Sequence, residues 1–270
     1  MNEIFGIGAK PLFVIAGPCV IESEPICMEI ATTLKAACDR LGLAFIFKAS
    51  FDKANRSAVS SYRGLGMLEG LKLLRRIGDA VHAPVLTDVH ESSQPEIAAK
   101  YVDVLQVPAF LARQTDLLLA CGKTGKPVNV KKGQFMSPQE MQLAVDKIRC
   151  TGNQRILLTE RGTFFGYNRL VNDFTAIPVM KSTGCPVIFD VTHSTQQPAG
   201  LGNSSGGNPQ YAPMLARAAV AAGVDGLFIE CHPEPRKALS DAATMLALDS
   251  VPALLEQLKQ LAEIRRSWNA

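Results

Sequence analysis

Short apolar runs rich in β-branched residues recur along the chain at 11–17, 45–50, 84–89, 104–107, 127–132, 156–161, 186–192 and 226–231. Their length and composition predict eight strands. Between them lie amphipathic segments, among them 26–42, 66–81, 137–149 and 211–223, whose apolar residues fall at helical spacing. Thr115-Asp116 and Ser137-Pro138 with Glu140 read as helix starts, and Gly42 and Gly223 as helix stops.

Strict alternation of strand and helix requires parallel pairing, because each helix carries the chain back to the same end of the sheet. Eight such units in 270 residues match the roughly 250 residues of a closed barrel. The expected fold is therefore α/β, a (β/α)8 TIM barrel. The alternative is a doubly wound open sheet, but no G-x-G-x-x-G follows the first strand. No stretch is rich enough in Pro, Ser or charge to mark a linker, so residues 1–270 are expected to form a single domain. The polar, glycine-rich stretch 194–210 follows the seventh strand and should be a long loop on the active face, closing over the substrate.

The composition is that of a globular protein with a large core: 47% hydrophobic and 20% charged residues. The 28 basic and 25 acidic residues leave a net charge of +3, too small to demand nucleic acid or an anionic membrane as partner. Any anion binding must be local. No apolar run reaches the ~18 residues of a membrane span, and the start of the chain has no secretory pattern, so the cytoplasm is the expected compartment. The seven cysteines, at 19, 27, 38, 121, 150, 185 and 231, form no C-x-x-C pair and are expected to be reduced thiols. Cys27, Cys38 and Cys150 fall in helical patterns and read as packing residues.

The predicted C-terminal strand ends, where barrel enzymes carry their chemistry, are unusually polar. They present Cys19, Lys48, Asp88 with His90, Gln106, Lys131 with Lys132, Glu160 with Arg161, Asp190 with His193, and Glu230 with His232. Such groups are rarely buried without partners, and a bound ligand explains them more economically than chance. The cations Lys48, Lys53, Arg56, Lys131 and Arg161 exceed the needs of one phosphate. Salt bridges to Asp88, Glu160 and Asp190 could occupy some; two anionic groups on the ligands fit the set better. Cys19, His193, Glu230 and Asp241, with His90 and His232 as competitors, offer sulfur, imidazole and carboxylate donors suited to Zn, Fe, Mn or Co rather than Mg or Ca. Spacing alone does not decide between that metal site and a nucleophilic Cys19 with His193 as its base.

Nine motifs in order give a resemblance: "IAGPCVIES", "FKASFDKANRS", "SYRG", "LTDVHE", "LQVPAFLARQTDLL", "VNVKKGQF", "TERGTFFGYN", "FDVTHS" and "ECHPEPRKALSDAATML". Over essentially its full length the chain resembles the 3-deoxy-D-manno-octulosonate 8-phosphate synthases, also called 2-dehydro-3-deoxyphosphooctonate aldolases. The sister 3-deoxy-D-arabino-heptulosonate 7-phosphate synthases share the Gly-Pro-Cys start. They carry Arg-Thr-Ser where this chain has Ala54-Asn55-Arg56-Ser57, so arabinose 5-phosphate is expected in place of erythrose 4-phosphate. The resemblance implies condensation of phosphoenolpyruvate with arabinose 5-phosphate on the route to the Kdo sugar of lipopolysaccharide, by a homotetramer acting on small molecules.

Carried over motif by motif, the resemblance implies that Lys48, Lys53, Lys131 and Arg161 hold phosphoenolpyruvate. It implies that Asn55, Arg56 and Ser57 hold the sugar phosphate, with Asp88 near the sugar hydroxyls and Arg113 reaching across from a neighbouring subunit. Lys131, His193 and Asp88 are the implied catalytic groups. Members with Cys at the position of Cys19 use a divalent metal, which here would be held by Cys19, His193, Glu230 and Asp241; the other class has Asn there and needs none. His90 and His232 then fall to supporting roles. Arg169 and Asn172 depart from the usual run Asn-Asn-Leu-Val-Val-Asp and are expected early in the helix after the sixth strand.

Overall fold

The computed structural model describes residues 5–6, 9–56, 58–164, 166–198, 200 and 206–268. The eight runs form eight parallel strands: β1 (Phe13–Gly17), β2 (Ala44–Lys48), β3 (Val85–Asp88), β4 (Val104–Val107), β5 (Val128–Lys131), β6 (Ile156–Glu160), β7 (Val187–Asp190) and β8 (Gly226–His232). Each strand pairs with the next. β1 also pairs with β8, from Phe13 opposite Gly226 to Gly17 opposite Glu230, which closes the sheet. A helix follows each strand: α1 (Glu24–Leu41), α2 (Met67–Val81), α3 (Gln94–Ala98), α4 (Thr115–Lys123), α5 (Met141–Arg149), α6 (Ala176–Lys181), α7 (Ala212–Ala222) and α8 (Val251–Trp268). This is the (β/α)8 barrel, and closure excludes the open-sheet alternative.

Side chains alternate across each strand, so residue parity decides what faces the barrel interior. Val14 and Ala16 of β1 join the layer packed under the helices. Phe13 and Ile15 point inward with Ala44, Ile46, Leu86, Val104, Leu157, Ile188 and Phe228, and Phe5 closes this cluster edge-on against Phe13 at 5.1 Å between ring centroids. Burying each of the larger side chains among them contributes about 1.5–3 kcal/mol. Towards the other end the interior turns polar: Asn129 donates to Gln106 at 2.9 Å and accepts from Thr159 at 2.8 Å. Two residues beyond the apolar layer, with the same inward parity, come Lys48, Asp88, Asp190 and Glu230; Lys131 follows Asn129 in the same way. The packing pattern that fills the core therefore also aims the charged groups into one mouth.

Gly42 and Gly223 end α1 and α7 with φ of 67° and 104°, as their positions predict. Ser137 and Glu140 form the start signal ahead of α5: Glu140 accepts the Ser137 N–H at 2.8 Å, and i→i+3 bonds lead into regular α-helix at Met141. One expectation fails. Arg169 and Asn172 do not open a helix. Residues 163–164 and 170–171 pair antiparallel, and Asn168 takes a left-handed φ of 53°, a conformation Asn tolerates. Asn172 instead donates to the Ser194 carbonyl at 3.1 Å, and α6 starts only at Ala176.

In the expected active-face loop, Gln196–Gln197 pairs antiparallel with Gly206–Gly207, while residues 199 and 201–205 lie outside the described residues. All seven cysteines are free thiols, and only Cys150 is exposed. No helix among the described residues is long and apolar enough to cross a membrane.

Candidate active site and metal centre

The mouth of the barrel at the C-terminal strand ends holds a cavity of about 500 Å3, within the usual range for a small-molecule site. β1 borders it, with Gly17 paired opposite the lining residue Glu230. Gly17 lies so close to β2 that a Cβ there would sit 2.0 Å from the Lys48 carbonyl oxygen, so the Gly-Pro-Cys run needs its glycine for contact between strands. Cys19 follows, 1% exposed. Its Sγ lies 3.1 Å from Ser240 Oγ and 3.2 Å from Asp241 Oδ2, on the loop after β8. Asp241 itself has a left-handed φ of 49°, a costly conformation retained where it turns a carboxylate toward the site.

Donor atoms of Cys19, Glu230 and Asp241 lie within 4.8 Å of one another. His193 Nε2 stands 3.4 Å from Glu230 Oε2 and 3.7 Å from Asp241 Oδ2. Ligands on a tetrahedral ion with bonds of about 2.0–2.3 Å are about 3.3–3.8 Å apart, so the two His193 spacings match such a shell and the 3.2 Å from Cys19 Sγ to Asp241 Oδ2 falls just short of it. Glu230 Oε2 is buried and has no hydrogen-bond partner, a cost that an ion would remove. The residues fit a divalent metal.

The same geometry weighs against Cys19 as a nucleophile. Burial, reinforced by Asp241 and Glu230, pushes its thiol well above the ordinary value, and Cys19 lies beneath the cavity lining rather than in it. His193 is committed elsewhere as well: its Nδ1 sits 2.8 Å from Asp190 Oδ2, which turns Nε2 toward Glu230 and Asp241. Burial disfavours the imidazolium, but Asp190 and Glu230 outweigh it and raise the His193 pKa.

Asp190 is fully buried and also accepts from Lys131 Nζ at 2.6 Å. Lys131 Nζ lies 3.5 Å from the centroid of the Phe228 ring. Burial lowers the Lys131 pKa, and Asp190 offsets that only in part. Lys48 is more fully spent: it donates to Glu230 Oε1 at 2.5 Å and to the Cys19 carbonyl at 2.8 Å, bracing two of the metal-donor residues. Burial alone would raise the Glu230 pKa; Lys48, then His193, Lys53 and Lys131, bring it down to about 2.

Arg161 carries the clearest anion-binding signal. It is 4% exposed and lines the cavity; one terminal nitrogen donates to Gln196 Oε1 at 2.6 Å, while Nη1 is buried without a partner. Lys53, Asn55, Arg56 and Asp88 line the same cavity. Asp88 accepts from Ser50 Oγ and lies 2.9 Å from His90 Nε2, which places His90 in support. His232 accepts from the Glu234 N–H and faces Glu22 at 3.6 Å, away from the donor cluster. Ser57 lies outside the described residues. Arg113 is exposed and does not line the cavity of its own chain.

Two expected strand-end charges prove structural. Lys132 and Glu160 have outward parity, approach each other to 3.5 Å, and do not line the cavity; Lys132 also donates to the Met136 carbonyl and Thr163. Conversely, Ser240, Gln196 and the double role of Asp190 were not singled out from the sequence. Asp190 had a usable signal, since its parity matches Glu230 and it stands three residues before His193. Ser240 and Gln196 had none, because loop conformation alone brings them in.

A barrel with sulfur and carboxylate donors grouped beside cations aimed into one cavity defines a class: (β/α)8 enzymes acting on anionic small molecules, with a possible metal-binding site. The sequence model of the DAHP synthetase I family matches residues 2–267, and the chain belongs to that family. Within it, the chain is 54% identical over 257 residues to the 2-dehydro-3-deoxyphosphooctonate aldolase of Geobacter sp. strain M21, covering 95% of this chain and 94% of that one. Proteins of the same name from a Cyanothece species (55% over 249 residues, 92% and 91% covered) and Stenotrophomonas maltophilia (54% over 257 residues, 95% and 93% covered) are equally similar. It is a member of the 2-dehydro-3-deoxyphosphooctonate aldolases.

Proposed function

We propose that this chain condenses phosphoenolpyruvate with arabinose 5-phosphate and water, giving 3-deoxy-D-manno-octulosonate 8-phosphate and inorganic phosphate. The observation that carries the reading is the buried, half-satisfied Arg161 sharing one cavity with Lys131, His193, Glu230 and Asp241, in a chain 54% identical to aldolases of that name. Phosphoenolpyruvate brings a carboxylate and a phosphate. Arg161, Lys53 and Lys131 supply cations for both, and Arg suits a two-point contact. Arg56 and Asn55, which line the cavity from the loop after β2, would take the sugar phosphate, and Asp88 the sugar hydroxyls.

Holding both anions in one cavity removes much of the entropic barrier to their meeting. C3 of phosphoenolpyruvate bonds to the aldehyde carbon while the aldehyde oxygen takes a proton, for which Lys131 is the donor. Its lowered pKa leaves it a better acid than an exposed lysine. Water adds at C2 and loses a proton, and the C2–O bond to phosphate breaks. Asp190 holds Lys131 in place, and the proton lost by the added water restores its ammonium. Cys19, His193, Glu230 and Asp241 would hold a divalent ion such as Zn, Fe, Mn or Co, which as a Lewis acid polarises a carbonyl or water oxygen. The exposed Arg113 would serve the sugar phosphate of a neighbouring subunit in a homotetramer, which accounts for its distance from its own cavity. The test is phosphate release from phosphoenolpyruvate with arabinose 5-phosphate against erythrose 4-phosphate: turnover with the first alone supports the reading, and turnover with the second alone overturns it.

A further inference from the structure

Lys132 and Glu160 take no part in the cavity wall, yet each stands beside a residue that does. Glu160 Oε1 accepts the backbone N–H groups of Arg161 at 2.9 Å and Gly162 at 2.7 Å. Gly162 has a φ of 91°, a turn that glycine makes without strain, and the chain leaves β6 there with Arg161 facing the cavity. Lys132 Nζ lies 3.5 Å from the same Glu160 oxygen and donates to the Met136 carbonyl and to Thr163 Oγ1, each at 3.2 Å. The Phe164 N–H donates to the Gln134 carbonyl at 2.8 Å. Residues 160–164 are thereby tied to residues 132–136, and Arg161 and Gln134 are the members of the two segments that line the cavity.

At the tip of Arg161 the one hydrogen bond among the described residues is to Gln196. Its aim is therefore set mainly at its root, by the turn that Glu160 and Lys132 hold. Stability is a weak reason for such a pair. Taking two charges out of water costs about what their attraction returns, and apolar side chains of similar volume often serve as well. Here the balance is poorer still, because the charged atoms approach only to 3.5 Å and Glu160 Oε2 is buried without a partner. Burial lowers the Lys132 pKa despite Glu160. The pair is better explained by what it holds than by what it stabilises.

We infer that Lys132 and Glu160 are positioning residues for the phosphoenolpyruvate half of the site, fixing the turn that aims Arg161 into the cavity. The inference rests on the functional reading above, in which Arg161 meets phosphoenolpyruvate. The sugar phosphate is assigned to the loop after β2, which is anchored elsewhere: Arg56 donates to Ser240 Oγ at 2.7 Å and to the Leu239 carbonyl at 3.3 Å. Loosening the pair should therefore be felt by one substrate and not by the other.

The test is calorimetric titration of the full chain with phosphoenolpyruvate, alongside urea unfolding and the KM for each substrate from phosphate release with Mn(II) present. It compares wild type with the double variant Lys132→Met/Glu160→Gln and with Thr163→Val, which keeps the side-chain shape but removes one acceptor of Lys132. The double variant should unfold near the wild-type urea concentration yet bind phosphoenolpyruvate about tenfold more weakly, the order of one charge-assisted hydrogen bond. Its KM for arabinose 5-phosphate should change less than about twofold. Thr163→Val should weaken phosphoenolpyruvate about threefold in the same selective way, and it alone decides if the double variant does not fold. A merely structural pair would lower the urea midpoint and leave phosphoenolpyruvate affinity intact, or raise both KM values alike; either result overturns the inference. If wild type releases phosphate and the variants bind phosphoenolpyruvate normally, only this inference fails. If wild type neither binds phosphoenolpyruvate nor releases phosphate from it, the functional reading falls with it.

Discussion

The carboxylate of Asp190 holds the ammonium of Lys131 at 2.6 Å, and its other contacts fix Nδ1 and the backbone N–H of His193. One fully buried acid thus positions both the proposed proton donor and a proposed metal ligand. Asp190→Asn should lower the rate of phosphate release about 10²–10⁴-fold, the usual contribution of a positioned proton donor. It should also weaken metal binding about 10–100-fold.

The same contact sets a pH dependence. If Lys131 acts in its protonated form, activity is lost as pH rises through its pKa, which burial holds below the ordinary lysine value. Asp190 favours the protonated form, so removing its charge lowers that pKa further. The alkaline limb of kcat against pH should therefore move to lower pH in Asp190→Asn; a limb that stays in place or moves up would dissociate Lys131 from proton transfer.

Metal uptake should release protons. Without an ion, burial with Asp241 and Glu230 keeps the Cys19 thiol protonated near neutrality, and Asp190 and Glu230 favour the protonated form of His193. The ion takes the thiolate and the neutral imidazole, so affinity rises with pH, about tenfold per unit for each proton displaced. In weakly buffered dye solution near pH 7, wild type should release about one more proton per ion than Cys19→Asn.

Lys48 and Glu230 form an ion pair with both side chains 1% exposed. Removing one member strands the other, so Lys48→Met should destabilise the metal-free protein by about 3–5 kcal/mol in urea unfolding. Lys48→Met with Glu230→Gln should recover most of that loss, because the uncompensated charge is gone. If the double variant is no more stable than the single one, the pair is not what holds this region.

Arg161→Lys keeps a charge but loses the fork. It should raise the KM for phosphoenolpyruvate more than that for arabinose 5-phosphate, as measured by phosphate release with the other substrate saturating.

The barrel was legible because two periodicities in the sequence are also two physical requirements: strands alternate between core and interior, and helices bury one stripe. The charged strand ends were legible for the same reason. Parity, applied strictly, also separates Lys131 and Asp190, which face the mouth, from Lys132 and Glu160, which do not. Ser240, Gln196 and the left-handed Asp241 were not legible as a group. Their positions depend on loop conformations set by distant partners, such as Glu22 under Leu239, which no local spacing encodes. The misplaced helix at Arg169 has a similar cause, since the Asn172 amide donates to the Ser194 carbonyl of another loop rather than within its own turn.

The central claim is that this barrel joins phosphoenolpyruvate to arabinose 5-phosphate with help from an ion held by Cys19, His193, Glu230 and Asp241. The most direct measurement is phosphate release by the chelated full chain with both substrates, repeated after adding back Mn, Fe, Co or Zn. Little turnover is expected after chelation and recovery with a divalent ion, in wild type but not in a variant lacking Asp241. Full turnover by the thoroughly chelated protein, or none with any ion, would contradict it.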